Sequence, residues 1–213
     1  MSERGAAPRR KVENLLALAV LSYLSQRPMH PYELSRTLRE RGEARSIKFN
    51  HGSLYMVFQQ LAKAGFVAEQ ETTRAGQRPE RTVYAITEAG RQELRDWLRD
   101  LIEEPRREYP HFAAALSLIG ALPPDEVVDL LTKRAARLAE ERDETRNLIA
   151  ETLSSGVHPL FLVEEDYRLA LLDAEAAFIE QFMQRITHPR TGWAPQWREF
   201  HQAARQEQEG KRS

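Results

Sequence analysis

Six histidines, His30, His51, His111, His158, His188 and His201, are the side chains best suited to metal ligation or proton relay, and no two lie three to five positions apart. No helix can therefore present a histidine pair to a metal. The absence of cysteine removes thiolate nucleophiles, iron–sulfur ligation, cysteine zinc sites and disulfides together, and fits a reducing cytoplasm. No Gly-x-Ser-x-Gly, phosphate-binding Gly-x4-Gly-Lys-Ser/Thr or Gly-x-Gly-x-x-Gly occurs. The carboxylates Glu140, Glu141, Asp143 and Glu144 are interleaved with Arg137, Arg142 and Arg146, as on an ordinary solvated helix face. An enzyme, a metal and a cofactor are thus not expected.

Charge is distributed more tellingly than it is totalled. The net value is −1, yet residues 1–90 carry +5 and residues 91–213 carry −6. Ala44 to Ala68 holds no Asp or Glu. Inside this window, polar residues at Asn50 to Ser53 offer a helix cap, and Leu54, Val57, Phe58, Leu61 and Ala62 follow with helical spacing. The opposite face is His51, Ser53, Tyr55, Met56, Gln59, Gln60 and Lys63. Hydroxyl, amide and cationic donors without one carboxylate can approach phosphates and base edges, from which an acid would be repelled. A solvated helix lacking acids by chance would read the same way. Lys48 ahead of this helix and Arg36 on the outer face of the preceding one add positive charge, as do Arg74, Arg78 and Arg81 around a turn downstream.

The elements that must position these residues follow from period and punctuation. A first helix is expected from about residue 9 to 26, apolar nearly all round in its middle. Pro31 opens a second, and the third ends at Gly65. Phe66 to Thr72 and Thr82 to Thr87 read as two strands around an arginine-dense turn. Thr87 caps a fourth helix with Leu94, Trp97, Leu98, Leu101 and Ile102 on one face. Three helices and a hairpin are the element order of a winged helix. The fold class expected is mainly α with a small β-hairpin wing: a winged helix-turn-helix N-terminal domain over residues 9–104, and an all-α C-terminal dimerisation domain over 111–188.

In that second domain Val128, Leu131, Ala135, Leu138, Arg142, Thr145, Ile149 and Thr152 make a coiled-coil-like seam with a polar middle. Beyond Gly156 and Pro159, one stripe contains Tyr167, Leu171, Ala174, Phe178 and Phe182, and a second contains Leu172, Ala176, Ile179, Met183 and Ile186. Two stripes need two partners, the preceding helix and a second subunit. A homodimer follows, held by the long helices together with the first. Residues 189–213, with Trp193, Trp197 and Phe200 among polar side chains, read as a partly mobile tail with one docked aromatic segment. The longest apolar stretch, Leu15 to Leu24, is about half a bilayer span, so no membrane partner is expected.

Asn50-His51-Gly52-Ser53-Leu54-Tyr55, then Ala64-Gly65-Phe66-Val67 and Tyr84-Ala85-Ile86-Thr87-Glu88-Ala89-Gly90, together with Pro31-Tyr32-Glu33-Leu34, resemble the PadR transcriptional regulators. Met56 stands where that family often has proline, and Arg78-Pro79-Glu80-Arg81 replaces its usual basic run. The resemblance covers about residues 12–100 closely and 110–187 more loosely. It implies a winged-helix dimer, usually a repressor released from DNA by a small molecule, here expected to be aromatic or drug-like; docking of a homodimer makes the expected double-stranded operator pseudo-palindromic. The expected DNA contacts are Arg36, Lys48, Asn50, His51, Ser53, Tyr55, Gln59, Lys63, Arg74, Arg78 and Arg81. Aromatic residues on both sides of the Pro105 to Pro110 hinge mark an expected effector site of Trp97, Tyr109, His111, Phe112, Phe161 and Tyr167, for which ordinary core packing is the competing reading. The contrasting function is a helical dimeric adaptor whose winged helix binds protein.

Overall fold

The computed structural model describes residues 11–40, 42, 45, 47, 50–73 and 81–210. The chain divides into two compact units, Met1–Arg107 and Glu108–Ser213, within the Arg106 to Tyr109 connector.

In the first unit the order is α1 (Leu15–Gln26), α2 (Pro31–Glu40), α3 (His51–Ala64), β1 (Val67–Thr73), β2 (Arg81–Ile86) and α4 (Glu88–Glu103). The expected start of the first helix near residue 9 is corrected: α1 begins at Leu15, because the Asn14 side chain accepts the Leu16 N–H at 2.9 Å and caps it. The apolar middle of α1 is covered within its own unit, by α3, β2 and α4, and Leu16, Val20, Leu21 and Leu24 are buried. Its all-round hydrophobicity is therefore satisfied without a second chain, with Leu15 left exposed. Trp97 of α4 and Phe58 of α3 are the largest fully buried side chains of this core.

The two strands pair antiparallel with Val67 opposite Ile86, and an irregularity interrupts the register between Glu69 and Thr72. One pairing was not foreseen. Met29, between α1 and α2, exchanges two backbone hydrogen bonds of 3.0 Å with Tyr84 and so pins the hairpin to the helices. At the junction of α3, hairpin and α4, Gly65 takes φ +81°, Thr87 Oγ1 donates to its carbonyl at 2.7 Å, and the same oxygen accepts the Gly90 N–H at 3.0 Å.

The second unit consists of α5 (His111–Ser117), a short 3₁₀ turn at Ile119–Ala121, α6 (Pro124–Ser154), a second 3₁₀ turn at Pro159–Leu162, α7 (Val163–Thr187) and α8 (Ala194–Gly210). α6 and α7 run antiparallel, with Val127, Leu131 and Leu138 packed against Leu172, Ile179 and Ile186. The polar middle of the seam is explained by ion pairs between the helices: Arg134 with Glu175, and Arg142 with Asp173 at 2.6 Å. Where a tail was expected, residues 194–210 form α8. Trp193, Trp197 and Phe200 follow at i, i+4 and i+7, and Trp197 packs against the α6–α7 core. Arg198 grips the Asp125 carboxylate with two hydrogen bonds, of 3.1 and 2.6 Å, and the His201 ring donates to the Ala121 carbonyl at 3.2 Å. Among the described residues no helix is long and apolar enough to cross a membrane.

Candidate nucleic-acid interface

The interface is built on the start of α3. Asn50 Oδ1 accepts the Ser53 N–H at 2.8 Å, while the Asn50 N–H is accepted by Ser53 Oγ at 2.9 Å. This reciprocal cap satisfies N–H groups that the first turn of a helix leaves without partners. Leu54, Val57, Phe58 and Leu61 are buried, and Tyr55, Met56, Gln59, Gln60 and Lys63 are exposed on the opposite face. No exposed side chain of α3 is acidic. The Tyr55 ring meets the His30 ring edge-on at 6.2 Å. His30 was not foreseen, because it lies 25 positions away and the helical period links only near neighbours.

The hairpin is braced against the same helix. Phe58 and Tyr84 stack at a tilt with centroids 4.9 Å apart, and the Tyr84 hydroxyl donates to Glu69 at 3.3 Å. Burial, and after it the Glu69 carboxylate, hold the Tyr84 phenol above its ordinary pKa. The strands are thus fixed relative to α3.

The other expected DNA residues fall in different settings. Asn50 and Ser53 are engaged in the cap. Arg36 lies exposed on α2, its Nε 3.4 Å from Glu40 one turn on, a surface pair that holds the guanidinium only weakly. Lys48, Arg74 and Arg78 lie outside the described residues, as do the side chains of His51 and Arg81.

Of the expected effector residues, Trp97 belongs to the first unit and the others to the second. Trp97 is 1% exposed, inside the core of the first unit. In the second unit Phe112 lies under the Arg134 guanidinium, 3.9 Å from the ring centroid, and meets Phe178 edge-on at 6.4 Å. Phe178 is about three turns along α7 from Tyr167, roughly 16 Å, which separates Phe112 from Tyr167. Tyr109, Phe161 and Tyr167 are exposed, as is His111. Among the described residues no cluster of three His, Asp or Glu could hold a metal ion.

Three helices, a two-stranded wing braced on the third, and an acid-free exposed face on that helix define a winged-helix DNA-binding domain. Residues 20–96 match the model of the transcriptional regulator PadR-like family. The negative transcriptional regulator PadR of Bacillus subtilis (strain 168) is 29% identical over 141 residues, 64% of this chain and 76% of that protein. The crystal structure of Bacillus subtilis PadR in complex with operator DNA is similar, with a TM-score of 0.60 and 22% identity over 79% of this chain and 99% of that one. The structure of the same protein in complex with p-coumaric acid has a TM-score of 0.62, with 19% identity over 84% of this chain and 97% of that one. The winged-helix region of the chain is thus similar to that of the PadR-like transcriptional regulators.

Proposed function

We propose that the chain is a homodimeric repressor that sets one α3 in the major groove at each half-site of a pseudo-palindromic operator. The half-sites lie about one helical turn, roughly 34 Å, apart, and a small aromatic effector releases the dimer. The exposed face of α3 carries this reading: Tyr55, Met56, Gln59, Gln60 and Lys63 reach outward from a rigidly capped helix with no carboxylate among them. Asn50, Ser53 and His51 enter at its N-terminal end, where backbone N–H groups favour phosphate. Arg36 and Lys48, with Arg74, Arg78 and Arg81 of the wing, supply sequence-independent phosphate contacts. The donor face gives no support to an adaptor role.

The dimer is supported by α7, whose first apolar stripe leaves Tyr167, Leu171 and Phe178 exposed while α6 covers the second, of Leu172, Ile179 and Ile186. Repression is supported by the negative regulator among the relatives, and an aromatic effector by the p-coumaric acid bound to Bacillus subtilis PadR. Exposed rings of the second unit, Tyr109, Phe161 and Tyr167 with His111, are its contacts, while Phe112, covered by Arg134, and Trp97 act through packing. Work on DNA and a chain without cysteine are in keeping with a cytoplasmic location. DNase footprinting upstream of its own gene, repeated with a panel of aromatic acids, tests the reading. A protected pseudo-palindrome released by one of the acids is expected, and failure to protect any sequence would overturn it.

A further inference from the structure

We propose that the groove between α5 and α6 is a binding site for a medium-chain aliphatic carboxylate. This goes beyond the aromatic effector, because both the wall and the charge of the groove call for a different ligand. The groove has a volume of ≈ 460 Å³, within the range of small-molecule sites. Apart from Phe112 its apolar lining is entirely aliphatic. The Phe112 ring is already covered by Arg134 on one face and met by Phe178, so little aromatic surface remains for a flat ligand. Leu118 and Leu130, on opposite walls, are 73% and 46% exposed. They are apolar side chains left facing water that an alkyl chain would cover.

The charge at the groove is asymmetric. Lys133 and Arg137 stand one turn apart on α6 and both border it. Among the described residues neither has an ion-pair or hydrogen-bond partner, whereas Arg134 between them is held by Glu175. Glu141, one turn beyond Arg137, is the single carboxylate in the lining. An aliphatic trough bordered by two unneutralised cations matches an amphiphile with one anionic head. The carboxylate meets Lys133 and Arg137, and the chain lies over Leu118 and Leu130.

The test is calorimetric titration of the full chain with octanoate, decanoate and dodecanoate below their micelle concentrations, against decanol and cinnamate. Saturable binding should tighten about fourfold per added methylene. Decanoate should bind on the order of tenfold more tightly than decanol, as expected for a charge-assisted contact, and more tightly than cinnamate. Both cations are exposed, so Lys133→Gln with Arg137→Gln should leave the melting temperature unchanged, keep decanol binding and abolish the preference for decanoate. Leu130→Gln, which removes apolar surface without adding charge, should weaken decanoate and decanol alike. Absence of binding, equal affinity for decanoate and decanol, cinnamate binding as tightly as decanoate, or an unaltered preference in the double variant would each overturn the proposal.

Discussion

Asn50 and Ser53 hold each other at the start of α3: each side chain accepts the other's backbone N–H, at 2.8 and 2.9 Å, and the Ser53 hydroxyl also donates to the Asn50 carbonyl at 2.8 Å. The two residues at the mouth of α3 therefore build the helix that presents its exposed face. Any contact they make with DNA is added to that role.

Asn50→Ala and Ser53→Ala should each lower stability by about 1 kcal/mol, visible as a fall in the melting temperature of the first unit. Weaker DNA binding in these variants must be compared with that fall. A variant that keeps the parental melting temperature would contradict the cap.

Among the described glycines of the first unit, Gly90 sits in the tightest space. A Cβ there would lie 2.1 Å from the backbone oxygen of Phe66 and 2.9 Å from Ile86 Cγ1, and backbone cannot yield as a side-chain tip can. Gly90→Ala should cost about 3 kcal/mol, the upper end of overpacking effects. Gly120→Ala, whose Cβ would meet nothing within 4 Å, should stay within about 0.5 kcal/mol of the parent. Denaturant unfolding of the two variants distinguishes these outcomes.

Local signals were the legible part of the fold. Pro31 opens α2, the polar run at Asn50 to Ser53 caps α3, Gly65 closes it and Thr87 caps α4, because each acts on backbone groups within a few residues. The apolar periods likewise separate buried Leu54, Val57, Phe58 and Leu61 from the exposed face of α3. Asn14 gave an equally local signal that the basic residues before it obscured. Met29 against Tyr84, and His30 against Tyr55, depend on tertiary placement that no short period encodes. Residues 189–213 read as a tail because three aromatic residues stand among mostly polar side chains, although their i, i+4, i+7 spacing is helical.

Leu171 is 53% exposed in the outer stripe of α7, so a charge there should not disturb the α6–α7 packing. Leu171→Glu should sediment as a monomer with unchanged helix content, while the parent sediments as a dimer at micromolar concentration. A parental monomer would contradict the second use of α7.

Arg198 holds the Asp125 carboxyl below its ordinary pKa, first through the hydrogen bond and then through charge. A carboxylate with a depressed native pKa contributes stability fully above its unfolded value, about 3.9, and loses it as pH falls through the lower native one. The tie between α8 and the start of α6 should therefore persist from neutral pH to about pH 4 and loosen below it. Asp125→Asn should loosen it at neutral pH already, giving faster limited proteolysis within α8. Equal cleavage rates would show that the Arg198–Asp125 pair does not hold the helix.

The most direct test of α3 as the DNA-reading element is a quantitative footprint titration of Tyr55→Ala against the parent. Tyr55 lies outside the Asn50–Ser53 cap and the buried core, so the melting temperature should change little. Specific operator affinity should fall roughly tenfold or more, the cost of about 1–3 kcal/mol for a lost groove contact, while binding to unrelated DNA and its salt dependence stay nearly constant. Protection of the same site at the same concentration by Tyr55→Ala and the parent would contradict the assignment of this helix face.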